Sequence, residues 1–114
     1  MALLRVGTLP DEVLAAAARF HAGVLPLILA ELASDPRHLT LIFPPADHTH
    51  RGWRLAVVQS LAREYAPVRV NAVTSDSEPA IAAALAYLGT AEGVTGQLLQ
   101  LDDTGAGEVL SSPA

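Results

Sequence analysis

Two kinds of apolar segment alternate along the chain. Short runs rich in Leu, Val and Ile occur at "ALLRVG" (2–7), "HLTLIF" (38–43), "VRVNAV" (68–73) and "GQLLQLD" (96–102), with the length and content of buried strands. Between them lie longer stretches of helical propensity: "DEVLAAAARFHAGVLPLILAELA" (11–33), "RGWRLAVVQSLAREYA" (51–66) and "PAIAAALAYLG" (79–89). Asp11 and Glu12 stand where a helix N-terminus favours negative charge. Pro26, inside the first helix, predicts a kink or local opening, because an interior Pro costs about 3 kcal/mol. Pro44-Pro45 stops the second strand and Pro67 ends the second helix, while Ser77 caps and Pro79 begins the third. On that helix Ile81, Leu85 and Leu88 share one face.

Strands alternating with helices of this length predict βαβ units and a parallel sheet. Strands as apolar on both sides as "LTLIF" are expected under helices on both faces. The fold expected is therefore α/β, a small parallel four-stranded sheet in the order β-α-β-α-β-α-β, with the right-handed crossover rule fixing where the helices lie. One domain spans residues 1–103, and 104–114 reads as a loose C-terminal tail.

The helices carry a second message. Val13, Ala17, Phe20, Val24 and Ile28 form one stripe on the first helix, which Leu14, Leu25, Leu29 and Leu32 widen. Trp53, Val57, Leu61 and Tyr65 form the corresponding stripe on the second, with Leu55, Ala56, Ala62 and Ala66 towards the other side. A helix apolar nearly all round is buried nearly all round, and one sheet face cannot cover it. Phe20, Val24, Ile28, Trp53, Val57, Leu61 and Tyr65 are accordingly the expected interface with another chain. An Ala-rich surface in an Ala-rich protein is the plainer alternative.

Composition narrows the chemistry. Cysteine is absent, which excludes disulfides, thiol nucleophiles and Cys-based zinc sites. Net charge is −5, and the seven basic residues are all Arg, spread singly, so the clustered footprint of a nucleic-acid binder is missing. No apolar run reaches the ~20 residues that cross a bilayer, and the start is too short for a signal peptide. A cytoplasmic soluble protein, binding neither nucleic acid nor membrane, is the expectation.

The segments "LAREYAPVRVNAV" (61–73), "PAIAAALAYLG" (79–89) and "GVTGQLLQLDD" (93–103) resemble, in order, the C-terminal half of a short-chain dehydrogenase/reductase, and a looser likeness extends back to residue 2. The resemblance implies a Rossmann-like half-domain whose four strands are the family's last four. It also locates what is missing. The Gly-rich turn that meets a dinucleotide pyrophosphate does not occur in this sequence. The family's Tyr-x-x-x-Lys positions fall on Asp47 and Arg51, and the chain contains no Lys. The catalytic Ser region reads "LIFPP", the assisting Asn is missing, and Asn71 belongs to "RVNAV". Only Thr74, Ser75, Asp76 and Ser77 remain of the long substrate-covering segment after the third strand. Arg keeps its proton to a pKa above ~12 and cannot replace a tunable Lys. Asp ionises near pH ~4 and cannot replace a phenol. NAD(P) binding and hydride transfer are therefore not expected.

Residual chemistry centres on "DHTH", where Asp47, His48 and His50 are candidate metal ligands on a loop. Helix capping by Asp47 or Thr49 is the plainer role. His21 reads as a packed or interface residue, and Arg69 and Asn71 as structural. Two functions of different class follow. One is a non-catalytic domain that self-associates as a homodimer through its two long helices, or serves as companion to a full-length reductase. The other is a small-molecule or nucleotide-binding protein, or related enzyme, with a site at the C-terminal strand ends near Phe43, Pro45, Asp47, Thr74 and Ser75. The outer edge of the first strand is also left bare, and edge pairing is a rival dimer mode.

Overall fold

The computed structural model describes residues 2–101; Asp102, Asp103 and the expected tail lie outside them. Four strands, β1 (Ala2–Arg5), β2 (His38–Phe43), β3 (Arg69–Thr74) and β4 (Leu98–Gln100), form one sheet in the order β1-β2-β3-β4. All three pairings are parallel, with Leu39 beside Val70, Phe43 beside Thr74 and Ala72 beside Leu98. The α/β sheet expected from the alternation is the one observed.

Helical structure runs from Val13 to Ala33 as α1 (Val13–Arg19), a π-helical turn (Phe20–Val24) and α2 (Leu25–Ala33). The Leu25 N–H reaches back to Phe20 O, a five-residue step that widens the helix next to Pro26. Pro26 has no N–H to give its preceding turn, and the π turn absorbs that loss without breaking the rod. Glu12 caps α1 by accepting from the N–H groups of Leu14 and Ala15, at 2.9 Å each. After a 3₁₀ turn at His48–His50, α3 (Arg51–Glu64) follows, and α4 (Glu78–Thr90) leads to β4. Ser77 caps α4, accepting from Ala80 N.

Side chains alternate across the sheet and divide the core in two. Leu39, Leu41, Phe43, Val70, Ala72 and Leu98 face one way and pack with Phe20, Ile28, Leu32, Val58 and Leu61 from the first three helices. Ile42, Val73 and Leu99 face the other way and pack with Ala80, Ile81, Ala84 and Leu88 of α4. Strand order nevertheless advances in one direction throughout. The β3–α4–β4 crossover therefore has the opposite hand to the two before it, which corrects the uniform right-handed expectation. A steadily advancing four-stranded sheet with three crossovers covers both faces only if one of them changes hand. Here a single helix protects Ile42, Val73 and Leu99.

A second correction concerns the longest helical stretch. Val13–Ala33 is 21 residues and, by length and composition, apolar enough to cross a bilayer. Arg19, His21 and Glu31 interrupt the sequence, but the intervening Ala and Leu residues keep its average apolar. Phe20, Ile28 and Leu32 tie this rod to the sheet, yet only 17 % of its most apolar stretch is buried.

Candidate functional site

The C-terminal ends of β1 and β2 open into two loops that lean together. In the second loop Asp47 accepts from the N–H of Thr49 at 2.9 Å and from its hydroxyl, which starts the 3₁₀ turn ahead of α3. These bonds hold the Asp47 carboxyl below the usual carboxylate range. His50 is buried, its Nε2 bonded to Asp11 O at 2.9 Å, while its Nδ1 accepts from the Trp53 indole at 3.2 Å. The Nε2–H tautomer follows, and the ring pins the first loop to the second. His48 is exposed. Of the metal candidates Asp47, His48 and His50, the first caps a turn and the last has both nitrogens engaged. Among the described residues no group of three His, Asp or Glu side chains converges on a metal position.

Behind these loops sits Arg54, only 4 % exposed. Its guanidinium lies 4.5 Å from the ring centre of Phe43 and 5.7 Å from that of Trp53. Nη1 donates to Pro44 O at 2.9 Å, and the buried Nε has no partner. Burial pushes the group below its ordinary Arg value. Among the described residues the ion pair observed is Arg5–Glu78, far out on the surface, and no carboxylate compensates Arg54. A cavity of about 340 Å³ adjoins it, lined among others by Leu9, Pro10, Pro45 and Asp47.

Sequence reasoning missed Arg54, although a signal was present. The buried stripe of α3 is Arg54, Val58, Leu61 and Ala62, one residue round from the Trp53–Val57 stripe expected. Arg54 falls at helical spacing from Val58 and Leu61 and belongs to the inward face.

Other expected site residues lie elsewhere. Phe43 lies beneath Arg54, and Pro45 and Asp47 line the cavity. Thr74 and Ser75 are buried, Ser75 donating its N–H to Phe43 O and accepting from Ser77 N. The short turn after β3 is thus a tightly bonded link to α4, with the Thr74 hydroxyl left unpartnered.

At the opposite end of the sheet lies a second polar group. Asn71 donates to Val94 O at 2.9 Å and to His38 Nε2 at 3.2 Å, and accepts from Gln97 N at 3.0 Å. Arg69 donates to Leu88 O and Ala91 O at 3.0 and 2.7 Å, satisfying the carbonyl end of α4. His38 is 2 % exposed and its pKa is lowered to about 4, chiefly by burial and secondarily by the charge of Arg69.

The residues expected at an interface are split. Phe20, Ile28 and Leu61 point into the sheet core, where no partner reaches them. Val24, Trp53, Val57 and Tyr65 are half-buried at its border. Sequence periodicity marks an apolar face without saying which layer covers it. Between the two helical ridges runs an open trough of about 400 Å³, bounded by Leu25 and Leu29 on one side and Trp53, Val57 and Tyr65 on the other. Leu29, on its rim, is 40 % exposed, and Leu14 and Leu27 of the same helical rod are 76 and 60 % exposed.

A family model described as SDR-like, short chain dehydrogenase-like protein, matches residues 4–101. No curated protein and no solved structure matches the chain.

Proposed function

The chain belongs to the SDR-like family, and we propose that within it this domain is a cytoplasmic, non-catalytic member that works by association, as a homodimer through its two long helices. The observation that carries the reading is the 17 % burial of the most apolar part of Val13–Ala33. That surface runs into the trough between Leu29 and Val57, so a largely apolar face, with His21, Ser60 and Glu64 also on the trough's lining, spans both helices. A ridge-and-trough surface complements its own two-fold copy, the geometry of an isologous contact.

Absence of reductase chemistry is supported by what occupies the relevant positions. Asp47 stands for the family's Tyr and spends its carboxylate on capping. Arg51 stands for the Lys and is exposed. Tyr65 borders the helical trough and Tyr87 is exposed on α4, so neither phenol lies with Asp47 and His50 in the loop cavity.

Size-exclusion chromatography with light scattering tests the proposal. A dimer at micromolar concentration is expected, and Leu29→Glu is expected to weaken it by about tenfold or more. A clean monomer overturns the reading. So does partition of the protein into neutral lipid vesicles, since the same helix meets the length and composition of a membrane span. NADPH oxidation by the purified chain overturns its non-catalytic half. A mixed complex with a complete reductase in place of the homodimer redirects the partner while keeping the surface.

A further inference from the structure

Burying an arginine is tolerated when a carboxylate or several acceptors meet its donors, and Arg54 has neither. Its residue is 4 % exposed, one carbonyl takes one of its terminal nitrogens, and no carboxylate among the described residues pairs with it. Two aromatic rings, at 4.5 and 5.7 Å, supply partial compensation from behind. Nη1 is held by Pro44 O, and Nε is sealed inside the protein without an acceptor, so Nη2 is the terminal nitrogen left to meet a ligand from the cavity that Arg54 lines. A charged N–H···O bond from a guanidinium nitrogen is about twice as strong as a neutral one and suits an anion.

The surroundings choose among anions. The adjoining cavity, about 340 Å³, is at the small end of ligand pockets. Leu9, Pro10, Pro44 and Pro45 give it apolar walls, and Asp11 and Asp47 stand on its lining. Two carboxylates nearby penalise a second negative charge, so a doubly ionised phosphate is disfavoured against a singly charged carboxylate. Thr8 and His50 stand on the same lining beside the prolines, so the walls are mixed and the cavity suits a short body behind that carboxylate. The cavity also lies outside the C-terminal ends of parallel strands, the place where open α/β sheets present ligands. His50, bridging Trp53 to Asp11 O, holds the two loops that form its sides.

We infer that this cavity is a binding subsite for a small monocarboxylate, whose carboxylate pairs with the Arg54 guanidinium. The site is independent of the helical face proposed for association, which lies on the other side of Trp53.

Trp53 is the one tryptophan in the chain and sits beside the guanidinium but also borders the helical trough, so its fluorescence is read with light scattering on the same samples, which separates ligand binding from a change in association. Titration with sodium butyrate and with 3-phenylpropionate, at constant ionic strength with chloride as the balancing anion, is expected to give a saturable change in the millimolar range or below. Arg54→Lys keeps the charge but loses the guanidinium, and binding is expected to weaken about tenfold; Arg54→Met is expected to abolish saturation. A saturable response in the wild type that Arg54→Lys and Arg54→Met leave unchanged overturns the inference. No saturation with either carboxylate overturns it as well. Tighter binding of inorganic phosphate than of either carboxylate overturns the assigned ligand class. If Arg54→Met does not fold, Arg54→Lys with a carboxylate-dependent rise in the wild-type melting temperature decides the question alone. Association state is read separately by light scattering, so failure of one proposal leaves the other standing.

Discussion

Arg69 and Arg54 sit at opposite ends of the same sheet and are treated in opposite ways. Arg69, at the start of β3, spends Nη1 on the carbonyls of Leu88 and Ala91 that α4 cannot satisfy itself. Beside it Asn71 is bonded at both ends of its amide, to the backbone of Val94 and Gln97 and to the His38 ring. Arg54, more deeply covered, has one carbonyl and two rings. The first end is a polar network that fixes helix and loop against strand, with His38 Nδ1 its buried atom left without a partner. The second is an open one, and an open buried charge is tolerated when something other than stability retains it.

The largest expected effect breaks the first end. Asn71→Ala removes the side-chain bonds to Val94 O and Gln97 N at a part-buried loop and strips a partner from the buried His38, for an expected loss of about 3 kcal/mol in urea unfolding. Arg69→Met leaves the α4 carbonyls to water at a half-buried end, for an expected loss of about 2 kcal/mol. A loss below half a kcal/mol for Asn71→Ala would mean that the network is not what holds the 94–97 loop.

This contrast bears on how much the sequence discloses. The alternation of strands and helices was legible because each strand carries apolar residues on both faces and each turn carries Pro, Ser or Gly punctuation. Ser77 before Pro79 and Pro26 inside a helix gave a cap and a local opening where local chemistry acts within a few residues. The hand of the third crossover was not legible, because it depends on which sheet face lacks cover, a property of the assembled sheet. Asn71 and Arg69 read correctly as structural, but their partners, Val94, Gln97 and Leu88, lie about twenty residues away and carry no side-chain signal. For Arg54 the failure was different: helical spacing from Val58 marked it as inward, but an arginine in a helix reads as solvated. The expected stripe of Trp53, Val57, Leu61 and Tyr65 lay one residue off for the same reason.

An intermediate effect sharpens the comparison through pH. Asn71 donates to His38 Nε2, so the neutral ring carries its proton on Nδ1, and a second proton has no place at Nε2 without displacing the amide. The folded pKa of His38, about 4, lies below the ordinary value of 6.5. The unfolded state therefore binds the proton more readily. His38 contributes its full stability above pH ~6.5, loses it as pH falls towards ~4, and adds no further loss below. The shift corresponds at most to about 3 kcal/mol, and a loss of about 2 kcal/mol between pH 7.5 and 4 is expected. Glu12, Asp47 and Glu78, whose pKa values are lowered by hydrogen bonding, lose stabilisation lower on the scale, as pH drops through the carboxylate range. Urea unfolding of His38→Gln across this range is expected to flatten the upper part of the profile and spare the lower. An unchanged slope between pH 6.5 and 5 in that variant would assign the acid sensitivity to other groups.

The smallest effect is expected at the more buried of the two arginines. Arg54→Met removes one charged hydrogen bond to Pro44 O and the ring contacts to Phe43 and Trp53. It also removes the standing cost of a desolvated cation with an unpartnered Nε. Methionine fills similar length against the same rings and brings no donor, and such replacements of poorly paired buried charge are commonly neutral or stabilising. The change in unfolding free energy is expected to stay within about 1 kcal/mol of zero, of either sign. Measured beside Arg69→Met under the same conditions, a near-zero value would show that two arginines on one sheet do different work, one holding the fold and one held by it. A loss at Arg54 as large as at Arg69 would place its partners inside the protein after all, and would close the cavity to any anion.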